Sequence, residues 1–342
     1  MKSSAIQKKL GYILLIITIS LELCLARHAL ADNTPAYVSI SSENDIYAPK
    51  AQDRHYTNGL RLAIGLSDSE RKWYDFLDDL TMLGENRDRV QYELAFGQNI
   101  YTPEFYLTEE LIPDDRPYAG WLYGELVATS HMPGIEEGLV INFGLVGPAA
   151  FGEEFQKFNH SITGDEKPLG WRHQLKNEPA LLLRYRRSRF TAQYHADFVK
   201  FDAITRFAFN LGNVFTDTSA GLVLRMGNHL SEHELPVRSQ PGLSGNSSFV
   251  DIRKNQIDWV LYTELSGRLV LHNIFLDGNV LRESHSITKK PVVWDVTTGV
   301  MFGFGQFRYP LYVSFSLIWR GKEFDLQQGI DNFGSAQIGL QF

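Results

Sequence analysis

The sequence predicts an all-β fold, a twelve-stranded antiparallel transmembrane β-barrel with a short helix in an extracellular loop. Three observations predict it. The N-terminus has the pattern of an export signal, alternating apolar and polar residues recur in about a dozen segments, and the last segment ends on Phe342. A membrane-spanning strand needs roughly ten tilted residues, and these segments have about that length.

The first segment of the chain, residues 1–31, is expected to be a signal peptide. Lysines at positions 2, 8 and 9 precede a mostly apolar run over 10–25, and 29–31 read Ala-Leu-Ala, the small residues a signal peptidase needs. A lipoprotein signal at Cys24 is the alternative, but the Glu22-Leu23 pair before that cysteine lacks the expected small residues. Residues 32–342 are then expected to form one outer-membrane barrel domain, because no linker or low-complexity tract interrupts them.

Charge and cysteine usage exclude several classes of protein. The predicted signal carries four basic residues and one acidic residue, so its removal takes the formal charge from −7 to −10. An acidic chain does not suit nucleic acid, whose phosphates need a basic face. The sole cysteine lies in the signal, so the exported chain has no disulfide.

Alternation with period two predicts the individual strands. It is clearest over 90–97, 139–146 and 336–342, where one face is apolar and the other is small or polar. The other candidate strands are 36–42, 59–67, 119–130, 180–187, 190–200, 214–226, 257–270, 273–282, 292–304 and 308–320.

A soluble sandwich or barrel also shows such alternation, so the membrane interpretation needs further support. Small residues at positions 97, 144, 303 and 305 face away from the apolar stripe, as lumen positions do. Aromatic residues stand near strand ends, where the girdles of membrane barrels form; they are Trp121, Tyr123, Trp171 and Trp319. Together with export and the lack of a disulfide, these features favour a membrane barrel.

Strand parity places the polar connections of the first half at one rim. With the N-terminus in the periplasm, connections one, three and five lie outside, whereas connections two and four, 67–88 and 131–137, face the periplasm. Connection one lies within "SSENDIYAPKAQDRHYTNGL", connection three is 98–118, and connection five is 147–175. Convergence of polar segments at one rim is what an active site needs.

Connection five carries the strongest chemical signal. Residues 152–160 have helical spacing, and Gln156 and His160 stand at i and i+4 on one helix face. Histidine is the usual general base near neutral pH, and Glu166 is placed to orient its imidazole ring. A solvated histidine on a loop helix is the alternative interpretation.

The sequence resembles the outer-membrane lipid A 3′-O-deacylase family. The motifs that carry this resemblance run in family order and read "SENDIY", "DRHYTNGLRLAIG", "GQNIYTP", "DDRPYAGW", "GLVGPAAFGEEFQKFNHSITGDEKPLGW" and "GNV". It implies a twelve-stranded barrel that uses Ca²⁺ to remove the 3′-linked acyloxyacyl group from lipid A, with the site between the barrel wall and a short helix. The matching positions make His160 the catalytic histidine, with Asn44, Asp45 and Thr57 as its partners and Gln156 and Glu166 beside it.

The expected mechanism is ester hydrolysis without a covalent intermediate. His160 takes a proton from the attacking water, while Ca²⁺, with Asp45 among its ligands, stabilises the oxyanion. No G-x-S-x-G nucleophile motif occurs in the sequence. The expected partners are lipid A and the outer-membrane bilayer, and the expected state is a monomer.

One departure from the family concerns substrate phosphate. Family members can carry a basic pair in connection three, where this chain reads "EFYLTEELIPD" and is acidic. Arg54 and Arg116 are the remaining candidates for phosphate contacts. An outer-membrane phospholipase and an inactive pore or binding barrel are therefore kept as alternatives.

Two further motifs are assigned no function. His229, Glu232 and His233 have the H-x-x-E-H spacing of zinc proteases, but glycine and proline surround them and parity places them at the periplasmic end. The arginines at 184, 186, 187 and 189 are expected to lie in a solvated periplasmic hairpin between strands six and seven.

Overall fold

The computed structural model describes residues 37–49, 54–66, 89–196, 198–230 and 250–342. The predicted signal peptide, connection two, and residues Glu232 and His233 of the zinc-like motif lie outside the described residues. None of the helices in the described part of the chain is long and apolar enough to cross a membrane.

Twelve antiparallel strands form a closed barrel, which confirms the predicted fold class. Each strand pairs with its neighbours in the chain, and β1 pairs with β12 to close the sheet. The strands are β1 (Tyr37–Asn44), β2 (His55–Leu66), β3 (Arg89–Thr102), β4 (Ala119–Met132), β5 (Ile135–Val146), β6 (Glu178–His195), β7 (Lys200–Gly212), β8 (Phe215–Gly227), β9 (Ile257–Asn273), β10 (Val292–Phe304), β11 (Leu311–Arg320) and β12 (Asp331–Gln341).

The two faces of the wall have opposite chemistry, as alternation predicts. Phe143 and Leu181 point outward and are 60% and 62% exposed, whereas Glu93 and Glu125 point inward and are buried. Inside the barrel, Arg61 pairs with both glutamates. Side chains and ion pairs thus fill the interior, and apolar surface faces outward.

The arginines of β6 belong to this interior, and the prediction of a solvated hairpin was wrong for two of them. Arg184 and Arg186 are buried on the lumen side of β6, and Arg184 lies 3.9 Å from Glu125. The strand runs on to His195, so the turn comes at 196–199. A polar lumen accepts charged residues in the middle of a strand, and for that reason charge alone did not mark the turn.

Two predicted strands were misplaced. Residues 190–200 contain the end of β6, the turn and the first residue of β7. Residues 273–282 begin with a short helix (Ile274–Asp277). Asn273 caps this helix by accepting a hydrogen bond from the backbone N–H of Phe275. Phe275 is buried and stacks on Tyr101 with 3.9 Å between ring centroids.

These aromatic rings close one end of the barrel. Trp121 and Tyr123, predicted to lie in an outer girdle, are buried in the same interior cluster as Phe275. Trp171, which belongs to connection five, is also buried. Of the four predicted girdle residues, only Trp319 therefore lies on the outward face. The girdle assignment of the other three was therefore wrong, because a residue near a strand end can turn inward to plug the mouth.

The odd-numbered connections meet at one rim, here called the site rim. They are 45–54, 103–118, 147–177, 213–214, 274–291 and 321–330. The predicted convergence of connections one, three and five is thus present. His229 lies at the opposite rim, where its Nε2 is 3.4 Å from Asp251.

Candidate active site

The candidate site lies on the outer face of the wall, at the site rim. Tyr37 and Glu93 share a hydrogen bond inside the barrel, and side chains alternate from there along β1 and β3. Asn44 and Thr102 therefore point outward, and so does Gln98. Polar residues on a face that is otherwise apolar mark this part of the wall as unusual for a membrane barrel.

A helix covers this patch from outside. Helix α1 (Gly152–Thr163) packs against β3 and β4, and the Nε2 of Gln98 donates to the carbonyl of Ala150 at 2.6 Å just before the helix begins. A Cβ on Gly120 would stand 3.0 Å from the backbone nitrogen of Gly152, so glycines at the crossing let the helix approach the strand closely.

His160 lies on the face of α1 that turns toward the wall, and it is only 6% exposed. Its Nδ1 contacts the main-chain oxygen of Glu166, while the Glu166 side chain is exposed. Because a carbonyl oxygen can only accept, Nδ1 carries the proton and Nε2 carries the basic lone pair. The ring also stands edge-on to Tyr106, with 5.7 Å between centroids.

Gln156 lies one turn before His160 on the same face and is buried. Its Oε1 accepts a hydrogen bond from the indole Nε1 of Trp171 at 2.9 Å. The Nε2 group has no hydrogen-bond partner among the described residues. Trp171 thus fixes the amide so that its two N–H donors point away from the indole.

Asn44 and Asp45 lie where β1 ends. The Oδ1 of Asn44 accepts from the backbone N–H of Ile46 at 2.8 Å and caps the 3₁₀ turn Asp45–Tyr47. Asp45 is buried, and its Oδ2 accepts from the backbone N–H of Arg54 at 2.8 Å. This bond connects the two ends of connection one.

Thr57 stands at an irregularity in β2, where the pairing register with β3 shifts between Tyr56 and Asn58. Its hydroxyl lies 2.6 Å from the hydroxyl of Thr102, which places both on the outward side. Such bulges re-aim side chains and occur often beside active sites.

His55 anchors this irregular segment, although sequence reasoning gave it no role. Its backbone has a φ of 61°, in the left-handed region that bulky residues rarely adopt. Its Nδ1 lies 2.7 Å from Asp331 and its Nε2 3.6 Å from Asp115. The signal that could have found it is its place inside the motif "DRHYTNG", between Arg54 and Thr57.

Connection three joins the two halves of the site. Arg54 pairs with Glu104 at 2.5 Å, and Tyr106 contacts His160. Glu104 and Tyr106 are two residues apart, so their Cα atoms are separated by at most about 7 Å. The structure therefore brings the histidine and the connection-one residues to the same loop.

The two candidate phosphate-binding arginines differ in their contacts. Arg54 interacts with Glu104, with the carbonyl of Ile330 and with Asp331. Arg116 is buried, pairs with Glu323 at 3.3 Å and lies over the ring of Tyr101. Its Nε and Nη2 have no hydrogen-bond partner within the described residues. It lines a small cavity together with Tyr118, Gly170, His173 and His285.

Carboxylates at the rim stay ionised because cations and N–H groups surround them. Three guanidinium groups face the buried Glu323, those of Arg116, Arg268 and Arg320. Burial raises the pKa of Glu323, but the three positive charges lower it by more, so it lies below that of an ordinary glutamate. Burial likewise raises the pKa of Asp115, while the nearby His55 imidazole and hydrogen bonds from the backbone N–H groups of Glu104 and Arg116 bring it below the ordinary value.

The donor set suits a hard cation better than a transition metal. Within the described ranges, no group of three or more His, Cys, Asp and Glu side chains is placed to hold a metal ion. Asp45 offers one carboxylate, and Asn44, Thr57 and nearby main-chain carbonyls offer neutral oxygens. Ca²⁺ accepts such mixed oxygen ligands, so the residues present fit Ca²⁺.

Comparisons with known proteins agree with this architecture. LpxR from Salmonella typhimurium superposes with a TM-score of 0.72 at 20% identity, covering 90% of this chain and 100% of that one. Two autotransporter barrels are more distant. The Bordetella Brka β-domain has a TM-score of 0.41 at 12% identity, covering 90% and 99% of the two chains. The Neisseria meningitidis NalP translocator has 0.42 at 8%, covering 97% and 96%.

No curated protein matches the sequence. The family model described as "Outer membrane protein LpxR" matches residues 13–342. Because that match spans nearly the whole chain, the protein belongs to the outer membrane protein LpxR family.

Proposed function

We propose that the protein is a Ca²⁺-dependent hydrolase that removes the 3′-linked acyloxyacyl group from lipid A of lipopolysaccharide. One observation carries the proposal: a buried histidine, His160, faces a polar patch on the outward side of the barrel wall. A lipid of the surrounding leaflet reaches such a site without entering the lumen. The site rim then faces the outer leaflet, where lipid A resides, and one chain contains the whole site.

In the proposed reaction, Nε2 of His160 takes a proton from a water as that water attacks the ester carbonyl. The tetrahedral adduct then collapses, the bond between the carbonyl carbon and the 3′ oxygen of the sugar breaks, and the leaving oxygen takes the proton from Nε2. The Glu166 carbonyl holds the proton on Nδ1 and keeps the ring oriented. The Nε2 amide of Gln156, directed by Trp171, donates to the developing oxyanion. Bound Ca²⁺ would polarise the ester carbonyl, with Asp45 as its carboxylate ligand and Asn44 and Thr57 fixing the geometry.

Of the two arginines, Arg116 is the better candidate for a substrate phosphate, which would reach it over the site rim through the small cavity that Arg116 lines. Its two N–H groups without partners would gain charge-assisted hydrogen bonds, whereas the guanidinium of Arg54 already contacts three protein groups. The backbone N–H of Arg54 serves the site differently, by holding Asp45.

The filled interior argues against a passive pore. A pore needs water along its lumen, but the inward-facing Arg61, Glu93 and Glu125 are buried in mutual ion pairs. Phe275 and the other aromatic rings also occupy the mouth at the site rim. A phospholipase would use the same ester chemistry, so the substrate must be identified directly.

Mass spectrometry of lipids from cells that express the chain distinguishes these functions. Loss of the 3′-acyloxyacyl mass from lipid A in Ca²⁺, abolished by EDTA, is the expected result. Loss of glycerophospholipid acyl chains would indicate a phospholipase, and an unchanged lipid profile would indicate an inactive barrel. His160→Ala is the control and should lower activity by roughly 10²–10⁴-fold. Its assembly is checked by the heat-dependent shift in gel mobility of a folded barrel.

A further inference from the structure

Helix α1 carries an apolar stripe beside its catalytic face. The stripe consists of Phe151 at the N-cap, Phe155, Phe158 and Ile162, spaced four, three and four residues apart. This spacing places the four side chains along one side of a helix. Phe158 is 39% exposed and Ile162 is 68% exposed, so much of the stripe has no protein cover within the described residues.

The other faces of α1 have different partners. Gly152, Gln156 and His160 face the wall, while Glu153 and Lys157 form an ion pair on the side away from the stripe. The helix therefore separates a catalytic face, an apolar face and a charged face. If the stripe served only to pack the helix on the barrel, it would face the wall. The face that contacts the wall is instead the polar catalytic face.

The stripe continues the apolar outer surface of the barrel. Phe143 and Leu145 are exposed on the outward face of β5, which leads directly into the segment before α1. Connection three adds the exposed Phe105 and Leu107, while Phe155 packs against the same cluster as Tyr106, the ring beside His160. Apolar surface thus runs from the bilayer-facing strands to the neighbourhood of the catalytic histidine.

We propose that the α1 stripe lies in the hydrocarbon layer of the bilayer and binds an acyl chain of the lipid whose ester His160 cleaves. The lipid enters sideways, with its chain along Phe158 and Ile162 and its polar part over the loops of the site rim. The charged face of the helix, with Glu153 and Lys157, then stays in the headgroup region. The placement of the stripe in the membrane is inferred from its exposed apolar surface alone. Binding of an acyl chain of the substrate rests, in addition, on the proposed function.

Depth-dependent fluorescence quenching tests the membrane placement. The only cysteine of the sequence lies in the predicted signal, so Ile162→Cys gives one labelling site for an environment-sensitive nitrobenzoxadiazole dye. The matched control is Lys157→Cys, on the charged side of the same helix, where Lys157 pairs with Glu153. The full-length exported chain is reconstituted in phosphatidylcholine vesicles, with doxyl-labelled lipid or aqueous iodide as quencher.

The expected result is blue-shifted emission at position 162 that doxyl lipid quenches and iodide does not, with the opposite pattern at position 157. Equal iodide quenching at both positions would overturn the proposal. Emission at position 162 that neither agent quenches would mean that protein covers the stripe, for example a second copy of the chain, and would also overturn it.

Kinetics on vesicle-embedded lipid A test acyl-chain binding. Phe158→Asp and Ile162→Asp should raise KM by about tenfold with kcat retained, while Lys157→Gln, on the charged face, should behave like the wild type. Aspartate variants with unchanged KM would contradict acyl-chain binding. A wild-type protein without turnover would refute the proposed function instead, and the quenching experiment would still decide where the stripe lies.

Discussion

His160 depends on residues that lie within one turn of helix or one loop of it. The Glu166 carbonyl fixes its tautomer, and Trp171 fixes the amide of Gln156 beside it. The two side chains proposed to perform the chemistry are therefore held by bonds to backbone and to an indole, which leaves few alternative rotamers. Two predictions concern single residues of this site.

The first prediction concerns the oxyanion. Gln156→Leu keeps the approximate volume but removes both N–H donors, so kcat should fall by roughly 10²–10³-fold with little change in KM. Trp171→Phe, which removes only the indole N–H that orients the amide, should cause a smaller loss in kcat. Steady-state kinetics on lipid A measure both variants. A Gln156→Leu enzyme with wild-type kcat would show that the amide does not act in the transition state.

The second prediction concerns the phosphate. Arg116→Gln should raise KM for phosphorylated lipid A by roughly tenfold or more, because charge-assisted hydrogen bonds contribute about 1.5–3 kcal/mol. The same variant should match the wild type on dephosphorylated lipid A. Equal effects on the two lipids would mean that Arg116 has a purely structural role in holding Glu323.

Sequence reasoning proposed the candidate residues whose chemistry is visible in their type and motif, but not those defined by conformation. Asn44, Asp45 and His160 stand in motifs with clear ligating or basic groups. His55 depends on a positive φ and on Asp331, which follows it by 276 residues, and no local pattern reports either. The unpaired donors of Arg116 likewise become visible only when its neighbours are placed.

At the scale of elements, the placement of α1 on the wall depends on two glycines. A Cβ on Gly152 would lie 2.8 Å from the Trp171 ring, and one on Gly120 would lie 3.0 Å from the backbone of Gly152. The crossing of helix and strand therefore has no space for a side chain.

The third prediction follows from this close approach. Gly120→Val should displace α1 and cost about 1–3 kcal/mol locally, so activity should fall sharply while the barrel still folds. Gly267→Val is the matched control, since a Cβ there meets no atom within 4 Å. Heat-dependent gel mobility reports the barrel, and lipid A turnover reports the site. Full activity in Gly120→Val would contradict the need for close contact.

The misassigned elements share one physical cause. Residues 190–200 and 273–282 carry apolar and polar residues that alternate locally, yet a strand end, a turn and a capped helix satisfy the same pattern. Asn273 was the sign of a helix start, because asparagine accepts from a backbone N–H two residues on. Alternation alone does not distinguish a lipid-facing strand from a loop that folds back into the mouth.

At the scale of the whole molecule, the alternation of apolar and polar residues predicts the barrel. The odd or even number of each connection predicts the rim at which the site lies. An even number of antiparallel strands places all odd connections at one rim, so three distant motifs meet without direct pairing between them. The individual ion pairs of the interior could not be predicted from the sequence. Each pair joins two strands, and the sequence of one strand does not determine its register against the other.

The fourth prediction concerns acid stability of the site rim. Asp115 and Glu323 have pKa values below those of ordinary carboxyls, so their contribution to stability is fully present above the pKa of the unfolded chain. It is lost as pH falls through the lower pKa of the folded state. The unfolding temperature should therefore be lower below about pH 4 than at about pH 5.

Asp115→Asn supplies the control for this prediction, because it removes one of the two titrating groups. The variant should be less stable than the wild type near neutral pH and should lose less on acidification. A wild-type unfolding temperature that rises as pH falls below about 4 would contradict the assignment of these carboxyls.

The central claim is that His160, on the helix that covers the outer face of a closed barrel, hydrolyses the 3′ ester of lipid A. The most direct test incubates purified wild-type and His160→Ala proteins with lipid A vesicles and Ca²⁺ and measures the lipid by mass spectrometry. The wild type should remove the 3′-acyloxyacyl group and release the free acyloxyacyl acid, and the variant should leave the substrate intact. Deacylation by His160→Ala at the wild-type rate would contradict the claim.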